Sequence, residues 1–78
     1  MTVEIITPET TLYNGKASYV ALPGSDGSLG VLDNHAPLIS SLKKGTVRLK
    51  DENGKEVKFD VKGGTVEVFN NKVIILAE

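Results

Sequence analysis

Apolar residues recur at every second position through most of this chain, and that period of two constrains its fold more than any other feature. Val47 and Leu49 alternate with Thr46, Arg48 and Lys50, and Val57, Phe59 and Val61 alternate with Lys58, Asp60 and Lys62. Val66 and Val68 repeat the pattern after Gly63-Gly64. Successive side chains of an extended strand point to opposite faces, so this spacing gives strands with one buried and one wet face. Nowhere does a 3.6-residue apolar period run long enough for a helix. Thr2–Ile6, closed by Pro8, Leu38–Leu42 and Val73–Ala77 complete the clearer strand candidates. Asp51-Glu52-Asn53-Gly54 and Asn70-Asn71 are turn sequences between them. Asn14-Gly15 predicts a further two-residue hairpin joining Thr11–Tyr13 to Lys16–Leu22, because both residues accept positive φ. Eight or nine short strands at this spacing indicate an antiparallel sandwich or barrel. In the last of them Val73, Ile74, Ile75 and Leu76 are apolar on both faces. That suits either a central strand covered on both sides or a face that docks a partner.

With 78 residues there is room for one domain and one modest core. A chain of this size buries only about 60–65 % of the surface its unfolded form exposes. Small domains often compensate with disulfides or a metal. This one has no cysteine, and its one histidine cannot build a zinc site alone, so a partner surface is the remaining compensation. Nine basic against ten acidic residues leave a net charge of −1, which attracts neither nucleic acid nor an anionic membrane. None of the four aromatic residues sits in a basic cluster that would stack bases. The longest apolar run, Val73–Ala77, is far short of a membrane span, so no direct membrane insertion is expected. Met1-Thr2-Val3-Glu4 lacks the charged and apolar regions of a signal peptide. A soluble cytosolic protein is the expectation.

Leu22–Leu38 holds three of the eight glycines, two of the three prolines and the only histidine. Such punctuation predicts a loop of defined shape, tied into a core by Leu22, Leu29, Val31, Leu32 and Leu38. Ser25, Asp26, Ser28, Asp33 and His35 are the residue types of a hydrolase triad, but neighbours in one tight loop seldom reach that geometry and no nucleophile elbow is present. Gly24, Gly27 and Gly30 match neither phosphate-binding glycine motif, and no helix follows to hold an anion. Asp26 and Asp33 do not have calcium-loop spacing. His35 is a candidate ligand or base, or a residue that hydrogen-bonds its own loop. Lys43-Lys44 reads as solvated turn lysines or a small docking patch, and Gly63-Gly64 as a bulge or sharp bend. These residues alone indicate a small all-β binding or structural module without metal, cofactor or catalytic site.

The order Pro23-Gly24-x-x-Gly27-x-Leu29-Gly30-Val31-Leu32-x-x-His35-Ala36-Pro37-Leu38 resembles the signature of the epsilon subunit of F-type ATP synthase, called delta in mitochondria. Glu4-Ile5-Ile6-Thr7-Pro8-Glu9, Lys44-Gly45-Thr46-Val47-Arg48-Leu49 and Gly63-Gly64-Thr65-Val66-Glu67-Val68 follow in the family's order, and the likeness spans all 78 residues. The resemblance implies an all-β, antiparallel sandwich of two five-stranded sheets with about ten strands. It implies a noncatalytic rotor subunit of the central stalk, peripheral on the cytoplasmic face of the membrane. Such a subunit joins the gamma subunit to the polar loops of the c-ring and helps couple proton- or sodium-driven rotation to ATP synthesis. Carried over by position, Asp26, Gly27 and Ser28 face the c-ring, and Thr7 and His35 lie toward gamma. Many relatives carry Glu where Ser28 stands, which leaves Asp26 to supply the charge. Pro23, Gly24, Gly30 and Pro37 hold the loop's shape. The C-terminal helical hairpin that members of the family usually carry, which can inhibit ATP hydrolysis and in some bacteria binds ATP, has no counterpart in residues 1–78. The rival expectation is a free-standing sandwich adaptor that binds a protein along a sheet edge.

Overall fold

The period-two segments fold as strands. The computed structural model describes residues 1–78 and contains eight strands and no helix. They are β1 (Thr2–Ile6), β2 (Thr11–Gly24), β3 (Gly27–Leu32), β4 (Leu38–Leu42), β5 (Gly45–Asp51), β6 (Glu56–Val61), β7 (Gly64–Phe69) and β8 (Lys72–Ala77). The count falls within the eight or nine read from the alternation. It lies below the ten implied by the resemblance partly because β2 runs unbroken for 14 residues.

That long strand corrects the expected hairpin at Asn14-Gly15. Both residues are ladder positions, Asn14 opposite Glu4 and Gly15 opposite Val3, and neither has positive φ. The turn lies earlier, at Thr7–Thr10. There the Thr7 hydroxyl donates to the Thr10 carbonyl at 3.1 Å and accepts from the Thr10 amide at 3.0 Å. The Thr7 amide also donates to the Thr10 carbonyl at 2.8 Å. Five register pairs with β1 outweigh the local turn preference of one dipeptide.

β2 serves two layers. Its first half pairs with β1, which runs beside β8, then β7, then β4; its second half pairs with β3 and β5, and β5 with β6. The changeover is visible in burial. Tyr13, Gly15 and Ala17 face inward before Ser18, and Val20, Leu22 and Gly24 after it, so the inward parity flips. The register with β5 shifts between Ala17 and Tyr19, which makes Ser18 the extra residue of a bulge. All pairings are antiparallel except β1 with β8, which is parallel. Counted in both layers, β2 gives five strands in one and four in the other. Between them lies a core of 15 apolar residues, including Val3, Ile5, Leu22, Leu49 and Ile75, with no polar side chain buried.

Candidate functional site

The Gly/Pro-rich segment is three pieces rather than one loop. Its first piece is a β-hairpin: Pro23 opposes Ser28, Gly24 opposes Gly27, and Ser25-Asp26 form the two-residue tip. Gly27 has φ 132°, and a Cβ on Gly24 would lie 2.4 Å from the Gly27 carbonyl oxygen. Close approach at one residue and backbone sign at the other therefore set this turn. The tip is bound to the end of β4: the Ser25 amide donates to the Ser41 carbonyl at 3.0 Å, and the Ser41 hydroxyl donates to Ser25 Oγ at 2.8 Å. Pro23 joins the same anchorage, its carbonyl accepting from the Lys43 amide at 2.9 Å. Gly30 does not shape the tip. It is an ordinary strand residue opposite Ala21, and a Cβ there would meet the Tyr19 ring at 3.4 Å, a normal contact.

The second piece is the turn after β3. Asn34 has φ 61°, its amide donates to Asn71 Oδ1 at 2.7 Å, and Asp33 pairs with the N-terminal ammonium. His35 is exposed, and its Nδ1 lies 2.7 Å from the Ala36 carbonyl oxygen. A carbonyl only accepts, so Nδ1 carries a proton and donates it to this neighbour. Ser25 and Asp26 sit at the far end of the sheet from His35, and Asp33 is engaged with the N-terminus, so the residues of the supposed triad do not converge. Pro37, the third piece, leads into β4.

Four strands of the larger layer, in the order β1-β8-β7-β4, present an unusual outer face. One cross-strand rank runs Glu4, Ile74, Glu67, Ile39, and the next runs Ile6, Leu76, Thr65, Ser41. Ile39 is 78 % exposed, Phe69 55 % and Leu76 53 %. Pro37, Leu38, Ile39, Glu67, Val68 and Phe69 line a shallow groove of about 330 Å³ in it. β8 is central, yet it is not covered on both sides: Val73 and Ile75 are fully buried, Ile74 half-buried and Leu76 open. Of the two readings of that strand, full cover is thus corrected by the twofold alternation, which turns Leu76 outward.

Thr7 follows the end of β1 beside the Leu76 rank, while His35 precedes β4 at the Asn71 end. The two predicted gamma-facing residues are therefore not neighbours but bracket this apolar face, about 17 Å of strand apart. Of the three predicted c-ring residues Asp26 lies in the tip and Gly27 and Ser28 open β3, and this end of the hairpin stands at the Thr7 end of the face.

The family model described as "ATP synthase, Delta/Epsilon chain, beta-sandwich domain" matches residues 1–78. The chain belongs to that family.

Relatives of this delta/epsilon sandwich domain include the ATP synthase epsilon chain of Brevibacillus brevis, 50 % identical over 78 residues, covering 100 % of this chain and 59 % of the relative. The epsilon chain of Desulforamulus reducens is 42 % identical over 76 residues, covering 97 % and 57 %. The chain thus spans less than two thirds of the length of these relatives. Among solved structures, a chain of the Euglena gracilis mitochondrial ATP synthase superposes with a TM-score of 0.87 at 19 % identity, covering 96 % of this chain and 48 % of that one. A chain of the Tetrahymena thermophila mitochondrial ATP synthase central stalk and c-ring gives 0.82 at 22 % identity, covering 99 % and 62 %. At such identities the likeness is one of fold. The strand pairings of this delta/epsilon domain explain what the sequence left unseen: the apolar outer face arises from single residues on β1, β4, β7 and β8, scattered along the chain and aligned only by register. No contiguous motif marks it.

Proposed function

We propose that this delta/epsilon domain is a noncatalytic coupling block of the central stalk in an F-type ATP synthase. In this reading the outer face of β1, β8, β7 and β4 lies against the gamma subunit, with Thr7 and His35 at the two ends of the contact. The Asp26-Gly27-Ser28 tip meets the polar loops of the c-ring, and the domain works as a peripheral part of the complex on the cytoplasmic face of the membrane. Ion-driven rotation then passes through it toward ATP synthesis.

The observation that carries the reading is the exposed apolar face bracketed by Thr7 and His35 in a chain of this family. Ile39, Phe69 and Leu76 together expose just under two whole residues' worth of surface. Covering it would contribute about 3–5 kcal/mol to association. The tip suits load transfer because it is fixed twice, by its glycine geometry and by its bonds to β4. A loose loop would dissipate torque as local motion.

Titration of recombinant gamma subunit onto the chain tests this. Wild type should bind, and Ile39→Lys and Leu76→Lys should each weaken binding by about tenfold or more while the melting temperature stays put. Absence of affinity for gamma and for a gamma–c-ring complex, or unchanged binding by both variants, would refute it.

A further inference from the structure

The outer face of the other layer carries a second feature, of which the stalk reading uses only Ser28 at the rim. Gly30, Ala21, Arg48 and Lys58 form one cross-strand rank over β3, β2, β5 and β6. Two residues with little or no side chain make a floor, and two cations stand directly opposite each other beside it. With Tyr19, Pro23 and Ser28 among the other lining residues, they form an open depression of about 550 Å³. Like charges placed opposite each other across an antiparallel pair destabilise it. Neither cation forms an ion pair, since the sole ion pair of the molecule joins the N-terminus to Asp33. The nearby carboxylates are otherwise placed: Asp60 accepts from the Thr46 hydroxyl at 3.0 Å, and Glu56 stands opposite Lys50.

We propose that this depression docks an acidic segment of a protein partner, one Asp or Glu carboxylate lying between Arg48 and Lys58. A single carboxylate over the Ala21–Gly30 floor removes the repulsion and receives charge-assisted hydrogen bonds from both cations. Glu56 and Asp60 flank Lys58 along β6, so a broad anionic surface such as a membrane or a nucleic acid would meet repulsion where one side chain would not. Leu32, 61 % exposed and paired with Tyr19 in the adjoining rank, offers apolar contact to a residue next to that carboxylate. The partner chemistry is therefore an acidic residue beside an apolar one. This surface lies on the layer opposite the proposed gamma face, and the inference stands or falls independently of that assignment.

The test is an amide-resolved NMR titration of the 78-residue chain with a blocked decapeptide of threonine, leucine and glutamate. Parallel titrations use the same peptide with glutamine for glutamate, sodium phosphate, and vesicles containing phosphatidylserine. Shifts should centre on Tyr19, Ala21, Gly30, Arg48 and Lys58 with the glutamate peptide alone, and weaken about tenfold or more in Arg48→Ser. Lys58→Glu supplies the missing opposite charge from within the chain. It should raise the melting temperature and abolish the peptide shifts together. No shifts, shifts centred elsewhere, equal binding of the glutamine peptide, or phosphate or vesicles acting in its place would each overturn the proposal. So would a lower melting temperature in Lys58→Glu.

Discussion

Gly64→Ala should cost this domain a large part of its stability, and the structure shows why. Gly64 opens β7 opposite Ala77 with φ 136°, a region reserved for glycine. A Cβ there would sit 2.1 Å from the Leu76 carbonyl oxygen and 3.1 Å from the Ala77 Cα. Those are backbone atoms of a central strand, so no side-chain rotation relieves the overlap. Backbone strain of this kind costs about 1–3 kcal/mol, and overpacking against an unyielding neighbour about 1–3 kcal/mol more. Together these come to about 2–6 kcal/mol, a severe loss against a total of about 4–12 kcal/mol for a chain of this length. A loss of about 3 kcal/mol corresponds to a melting temperature lowered by roughly 12–24 °C. Gly54→Ala is the control: Gly54 also has positive φ, 78°, but nothing lies within 4 Å of its would-be Cβ. It should lose only about 1 kcal/mol. Urea unfolding of both variants reads the difference, with an unchanged m-value showing that the unfolded state has not moved. If the two variants were destabilised equally, the clash with Leu76 would have no energetic weight and the reasoning would fail.

Three further outcomes follow from the same geometry. Tyr13 is half-buried, and loss of solvent raises its phenol above the usual range, with the charges of Asp51 and Glu52 adding to the effect. The folded state therefore holds its proton more tightly than the unfolded state. The resulting stability is complete below the unfolded pKa of about 10 and is lost as pH climbs through the higher folded value. Absorbance titration should show Tyr13 ionising late, and Tyr13→Phe should flatten the alkaline decline in melting temperature; an equally steep decline would count against it. Thr7→Ala removes the hydroxyl bonds of the β1–β2 turn and should cost about 1 kcal/mol by urea unfolding, whereas a neutral result would show that the turn holds without them. The Lys43→Ala, Lys44→Ala double variant should stay within about 0.5 kcal/mol of wild type, since both side chains are exposed and Lys43 engages its neighbour through its amide. A large loss would show that these lysines have structural work.

Period-two alternation suffices to specify an all-strand domain, the inward set Val47, Leu49, Val66, Val68, Val73 and Ile75, and the turns at Asp51–Gly54 and Asn70-Asn71. These are local properties, written in the order of neighbouring residues. The ordered glycine, proline and histidine motifs likewise identify the family, because a specific turn geometry demands specific residue types at fixed spacing. Other features required distant segments to meet. Asn14-Gly15 carries the chemistry of a turn but lies in a ladder, because β1 supplies a partner that the dipeptide cannot foresee. The parity flip at Ser18, the parallel pairing of β1 with β8, and the absence of a layer over Leu76 depend on which strands become neighbours. The two outer faces belong to the same class. Thr7 and His35 bracket one, Arg48 and Lys58 crown the other, and each is assembled by strand register from residues that the chain keeps apart.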